Sequence, residues 1–190
     1  TFVGNPNGLF CADDGILVYS ADKLYSFSYT YDQTGERQLS GAYKYEKSAL
    51  ISVYSSSDGV YLISSDGNDK KLTGKADDFT VYGSRVFVAS GSDIIIFDTS
   101  SDSTFTVSAG NRITSIAYSG NKVCFSTESD SFGYSDIYEV SENGISLLFD
   151  YCKNVGYLIP GDKPLYYGAG KVTDPETKQS FSLHGDEIRV

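Results

Sequence analysis

The chain has 190 residues and a formal net charge of −10, with a sequence pI near 4.4. That length fits one good core, and that balance works against nucleic acid and anionic membrane surfaces, both of which recruit clustered Lys and Arg. Sixteen Tyr and eleven Phe suit half-buried pleated surfaces, Met and Trp are absent, and no apolar stretch reaches the roughly 18 residues that a membrane helix requires.

Short apolar or β-branched runs separated by polar turns fill the whole chain, and they group in fours. The first unit, 8–41, has runs at 8–12, 16–19, 24–28 and 37–40, with the turn Tyr31-Asp32-Gln33-Thr34-Gly35-Glu36 before the last. The second, 42–75, opens on the polar run Tyr43-Lys44-Tyr45-Glu46 and continues at 50–54, 60–63 and 71–73 around the turn Ser65-Asp66-Gly67-Asn68-Asp69. The third, 76–110, is the most regular, with 79–82, 85–89, 93–97 and 104–107 divided by Gly83-Ser84, Ser90-Gly91-Ser92 and the Asp98 turn. The fourth, 111–150, has runs at 113–118, 123–126, 137–140 and 145–149, and the fifth, 151–190, at 155–159, 164–167, 171–173 and 180–183. Asp32, Asp66 and Asp98 recur at steps of 34 and 32, and the Glu142 turn and Asp174 extend the series at a period of about 35 residues. No window of about 12 residues holds a capped 3.6-residue apolar period, so helices are not expected.

An in-phase repeat of four-stranded antiparallel meanders predicts a single all-β domain over 1–190, a β-propeller of about five blades or a segment of a larger propeller. A β-sandwich is the alternative, although a sandwich has no reason to repeat a four-strand unit in phase. Five blades could close a small ring. A six- or seven-bladed ring completed by further sequence or by a partner would fit as well, with 186–190 as a candidate closing strand beside 1–3.

Two stretches resemble known propeller repeats. Ile94-Ile95-Ile96-Phe97-Asp98 resembles the WD-repeat strand that ends in Trp-Asp, with Phe97 in the Trp position, and Ile113-Thr114-Ser115-Ile116-Ala117-Tyr118-Ser119-Gly120 resembles that family's first strand and turn. Tyr61-Leu62-Ile63-Ser64-Ser65-Asp66-Gly67-Asn68-Asp69-Lys70-Lys71-Leu72-Thr73 is similar instead to the repeat of TolB-like propellers, where an Asp-Gly turn leads into a Leu-Thr strand. Both resemblances imply a propeller that binds through its loop faces, and neither carries a catalytic residue.

One histidine, His184, and three scattered cysteines, Cys11, Cys124 and Cys152, make no zinc pattern and no nucleophile constellation. No catalytic residue, metal or cofactor is therefore assigned. The cysteines among apolar runs read as buried inert thiols, and the pairs Asp13-Asp14 and Asp77-Asp78 read as turn formers rather than calcium ligands. In a propeller, the loops joining second to third strands share a face with the loops between blades. That face would gather Tyr43, Tyr45, Lys75, Asp77, Arg112 and Lys153, together with the ten residues 127–136, the longest second-to-third connection. Phe132 and Tyr134 within it would either anchor an interface, with Arg112 beside them, or fold back onto the blade edge as local packing.

The expected function is a non-catalytic scaffold that mediates protein–protein interaction within a larger protein or complex. The alternatives are an extracytoplasmic propeller that binds a small ligand, peptide or glycan, and a metal-dependent lactonase- or lyase-type enzyme. Cysteines that read as buried inert thiols and the absence of Asn-x-Ser/Thr sequons lean weakly intracellular. The opening Thr1 fits a removed leader or a longer parent chain, so the compartment stays unassigned.

Overall fold

The computed structural model describes residues 8–12, 15–20, 23–30, 32–39, 41–74, 76–141 and 143–182, the first five as backbone only. Lys75, Asp13-Asp14, His184, 186–190 and 1–3, all singled out above, lie outside the described residues. The described residues hold no helix and twenty strands, which form five four-stranded antiparallel sheets, each a meander in chain order. These are the blades of a β-propeller.

Blades 1 and 2 form one compact unit. Blade 1 contains β1 (Gly8–Ala12), β2 (Gly15–Ser20), β3 (Lys23–Phe27) and β4 (Gln33–Gln38), and blade 2 contains β5 (Ala42–Lys47), β6 (Ser52–Ser56), β7 (Gly59–Leu62) and β8 (Lys70–Thr73). Tyr19, Leu24 and Leu39 pack with Ala42, Tyr45 and Tyr54 as their shared core. The Tyr19 hydroxyl donates to the Ala42 carbonyl at 2.5 Å, which satisfies a buried phenol and a buried acceptor together. Arg37 ties the same two blades at their polar edge, donating to the Ser64 carbonyl at 2.6 Å and pairing with Asp69.

The second unit starts at Ala76 and holds three blades. Blade 3 contains β9 (Asp78–Tyr82), β10 (Arg85–Ser90), β11 (Asp93–Asp98) and β12 (Ser103–Ser108); blade 4 contains β13 (Ile113–Ser119), β14 (Lys122–Thr127), β15 (Tyr134–Ser141) and β16 (Gly144–Lys153). Blade 5 contains β17 (Tyr157–Ile159), β18 (Leu165–Gly168), β19 (Lys171–Thr173) and β20 (Ser180–Ser182). Burial falls from β10 outwards across blade 3 and sets the sequence pattern of each strand. In β10 the run Val86 to Ala89 is buried on both faces and is continuously apolar. In β11 Ile94, Ile96 and Asp98 are buried and their neighbours half-buried, so the strand alternates. In β12 only Phe105 and Val107 are partly covered.

Adjacent blades of this unit join through two cores. Phe87, Ile94 and Ile96 meet Ile113, Ile116, Val123 and Phe125 between blades 3 and 4. Ala117, Cys124, Ile137 and Cys152 meet Val155, Leu158 and Tyr166 between blades 4 and 5. The first strand of a blade has one edge without a ladder partner in its own sheet, and short polar side chains of the preceding first strand satisfy it. Asp78 Oδ2 accepts from the Ile116 N–H and Thr80 Oγ1 from the Tyr118 N–H, both at 3.0 Å, and Ser115 Oγ accepts from the Leu158 N–H at 3.0 Å. Asp78, Thr80 and Ser115 in these otherwise apolar strands are thus inter-blade connectors.

Asp98 and Asp174 act as turn acceptors, whereas Asp77 and Asp78, read from sequence as turn formers, accept from the distant Gly91 and Ile116 N–H groups, and Asp78 lies in β9. Asp98 accepts from the Ser100 N–H at 3.0 Å and from Arg85 Nε at 2.9 Å, and Asp174 accepts from the Glu176 N–H at 2.9 Å and from Lys163 Nζ at 2.6 Å. β4 is displaced from its expected place: it starts at Gln33, so 33–36, read as turn, is strand, and ahead of it the Ser28 N–H donates to the Asp32 carbonyl at 2.9 Å. Cys124 and Cys152 are free and buried, and burial pushes the Cys124 thiol up to about 11 and raises that of Cys152. Both are apolar filling.

Candidate functional site

Blade 4 departs from its neighbours where β14 passes to β15. Six residues, 128–133, lie outside the strands there, against two in blade 3 (Gly91 and Ser92) and two in blade 5 (Ala169 and Gly170). The loop is shorter than the ten residues expected because β15 extends back to Tyr134, which pairs with Lys153 of β16.

Asp130 organises this loop. Its Oδ1 accepts from the Phe132 and Tyr134 N–H groups, both at 2.9 Å, and its own N–H donates to the Tyr134 carbonyl at 2.8 Å. Two backbone bonds fix the loop to the inter-blade connections on either side: the Glu128 N–H donates to the Arg112 carbonyl and the Asn154 N–H to the Gly133 carbonyl, each at 2.8 Å. Gly133, at φ 82°, supplies the left-handed residue the turn needs. With its backbone held, Phe132 stands at the tip with 78% of its surface exposed.

A second departure lies in β16. Between the pairs Ser135–Cys152 and Ile137–Phe149, the single residue Asp136 faces both Asp150 and Tyr151, which makes a β-bulge. Tyr151 sits there at φ 49°, a left-handed conformation unusual for a bulky residue, and its N–H donates to Asp136 Oδ1 at 3.2 Å. The bulge turns the Tyr151 ring outward, leaving it 73% exposed and edge-on to the Tyr134 ring at 6.2 Å. Tyr134 is half-buried, with Lys153 Nζ 5.5 Å from its ring centroid. A depression of about 490 Å³ lies beside these rings, walled by Arg112, Glu128, Asp130, Asp136 and Asp150.

The structure therefore brings Arg112, Phe132, Tyr134 and Lys153 to one region of blade 4. Asp77 joins it through Arg112, 3.7 Å away, and also accepts from the Gly91 N–H at 2.8 Å. Tyr43 and Tyr45 belong to the first unit. A bulge between Ala42 and Lys44 separates their directions, so that Tyr43 is 56% exposed while Tyr45 packs in the core at 4%. Tyr45 thus has no ring surface to offer a partner, and burial raises its phenol pKa. Sequence reasoning did not single out Tyr151. Its exposure depends on a bulge that appears only once β15 and β16 are placed in register.

No protein-family model matches the chain, and no curated protein matches it in sequence. Solved structures match it in fold. Hsv2 of Kluyveromyces lactis is 11% identical with a TM-score of 0.61, the match covering 89% of this chain and 60% of that one. PorZ, a surface component of the type-IX secretion system of Porphyromonas gingivalis, is 13% identical with a TM-score of 0.61, covering 95% and 28%. A chain of the mitotic checkpoint complex is 12% identical with a TM-score of 0.56, covering 94% and 61%. This chain accordingly spans less than two thirds of the length of each. In fold it is a β-propeller, as its WD-repeat-like and TolB-like stretches implied.

Proposed function

We propose that the chain is a non-catalytic propeller module that docks a protein partner on blade 4, through Phe132 and Tyr151 with Tyr134 and Arg112 beside them. The observation that carries this reading is the presentation of two aromatic rings, 78% and 73% exposed, on backbone that Asp130 and Asp136 hold in place. Exposed aromatics on ordered backbone offer large contact area and lose little conformational freedom on binding, which suits them to interface hot spots. Support also comes from the matched propellers, among them a chain of the mitotic checkpoint complex and Nup159, seen in one structure with Dbp5 and Gle1. Among the described residues no group of three or more His, Cys, Asp or Glu side chains is arranged to hold a metal ion, and no helix is long and apolar enough to cross a membrane.

Affinity capture from a native extract, with wild type beside a Phe132→Ala/Tyr151→Ala double variant, tests the reading. Reproducible partners held by wild type and reduced at least about tenfold in the double variant are expected, since each hot-spot truncation costs about 2 kcal/mol or more. Equal retention by both proteins, or no retention by either, would overturn it.

A further inference from the structure

We propose that the depression beside Tyr151, between the end of β16 and the sheet of blade 5, is an anion-recognition groove that receives the carboxylates of an acidic peptide segment. It rests on blade 4 being the docking face and names the chemistry of what docks there.

The observation behind it is where this acidic chain keeps its uncompensated cations. The sequence has 25 acidic and 15 basic residues, so a lysine has many chances to meet a carboxylate. Among the described residues Lys23, Arg37, Lys44, Lys71, Arg85, Arg112, Lys122 and Lys163 all do so. Lys47, Lys153, Lys171 and Lys178 do not, and the last three line one depression of about 400 Å³ whose walls include no Asp or Glu. Two of them are placed by neutral groups. Lys153 Nζ lies 5.5 Å from the centroid of the Tyr134 ring, and Lys178 Nζ donates to the Asp150 carbonyl at 3.4 Å. Neutral partners fix where the charges sit without cancelling them. The polar wall is made by Thr173 and Ser180, whose hydroxyls are 2.9 Å apart.

Three like charges around one hollow repel each other, and an anion entering it relieves that repulsion. The occupant is a peptide rather than a free ion because Tyr151 lines both this groove and the depression beside Tyr134. A segment with its acids among the lysines therefore brings a neighbouring apolar side chain against the exposed rings. Long-range electrostatics oppose a non-specific match, since a chain of net charge −10 repels a polyanion everywhere except at such a local concentration of cations.

Fluorescence anisotropy with a fluorescein-labelled peptide, one Phe followed by a run of Glu, tests the proposal. Wild type is expected to bind it. Lys153→Gln/Lys171→Gln/Lys178→Gln should weaken binding about tenfold or more, as should replacing every Glu of the peptide by Gln. Lys47→Gln, at a fourth lysine without an ion pair, should change it less than about twofold. A Lys-to-Arg triple variant that keeps binding, with an unchanged melting temperature in the Gln variant, separates lost charge from lost fold. No binding by wild type, or wild-type affinity in the Gln triple variant, would overturn the proposal. So would full displacement of the peptide by inorganic phosphate at equal concentration, which would make the groove a site for small anions. If the captured partner is lost in Phe132→Ala/Tyr151→Ala but kept in the Gln triple variant, the docking face stands and the acidic segment falls.

Discussion

Blades 3 and 4 share a core and differ in what they do with the backbone around it. Blade 3 runs through four strands in unbroken register, turns from β10 to β11 in two residues, and places Gly91 at the left-handed corner at φ 64°. Its one exposed large hydrophobic side chain is Tyr82, stacked on Tyr118 at 4.7 Å. Blade 4 breaks register in β13 and twice in β16, inserts 128–133, and leaves Phe132, Leu147 and Tyr151 exposed. The 128–133 insertion and the bulge at Tyr151 trade ladder regularity for side chains aimed at solvent, whereas Leu148, at the second irregularity of β16, packs against the core. One blade is built to pack and the other to present.

The sharpest way to break this comparison is to attack what the two blades share. Phe125 is fully buried in their common core and stacked on Tyr138 at 5.2 Å. Phe125→Ala should cost about 3–5 kcal/mol, because the transfer energy of a phenyl group is lost and a cavity stays behind. Equilibrium urea denaturation measures it. A loss below about 1 kcal/mol would mean that the two blades do not depend on one core.

The contrast between packing and presenting also marks what the sequence could reveal. β10 was legible because burial on both faces demands a continuous apolar run, β11 because one face is buried and the other half-buried, and Gly83-Ser84 and Gly91-Ser92 punctuate them. β4 was misplaced because an outer strand with one face in water needs no apolar signal. Its polar residues Gln33 to Glu36 look like a turn, although the pairing of Gly35 with Ser26 makes them strand. The loop carrying Phe132 was legible as extra length without a core pattern. Tyr45 misled because strict alternation puts it on the same face as Tyr43, and one bulged residue is enough to reverse that. Tyr151 was illegible for the same reason, since a bulge is a property of two strands in register and neither strand alone shows it.

A smaller change sharpens the contrast from the side of blade 4. Tyr151→Asn removes a bulky residue from the left-handed region, where Asn is well tolerated, and relieves roughly 1 kcal/mol of backbone strain. It also removes the edge-on contact with Tyr134, of roughly 0.5–1.5 kcal/mol. The two nearly cancel, so stability should change by less than about 1 kcal/mol while partner retention falls. A melting curve paired with affinity capture checks both. A large destabilisation would show Tyr151 to be packing rather than presenting.

The smallest expected effect lies in the turns. A Ser100 hydrogen bond, followed by Arg85, holds the Asp98 carboxyl well below the usual carboxylate range, and Lys163 leads in lowering Asp174 to about 2. A depressed pKa means that the folded state binds the proton less readily than the unfolded chain does. The stabilisation is therefore complete above the ordinary value of 3.8 and is lost as pH falls below it, through about 2 for Asp174. Asp174→Asn removes that dependence at one turn. The variant should be less stable than wild type at pH 6 and should converge with it as the pH approaches 2, a difference that urea midpoints across the range would show. Divergence towards acid instead of convergence would mean that Asp174 is protonated more easily in the folded chain than in the unfolded one, and that the Lys163 contact does not hold in solution.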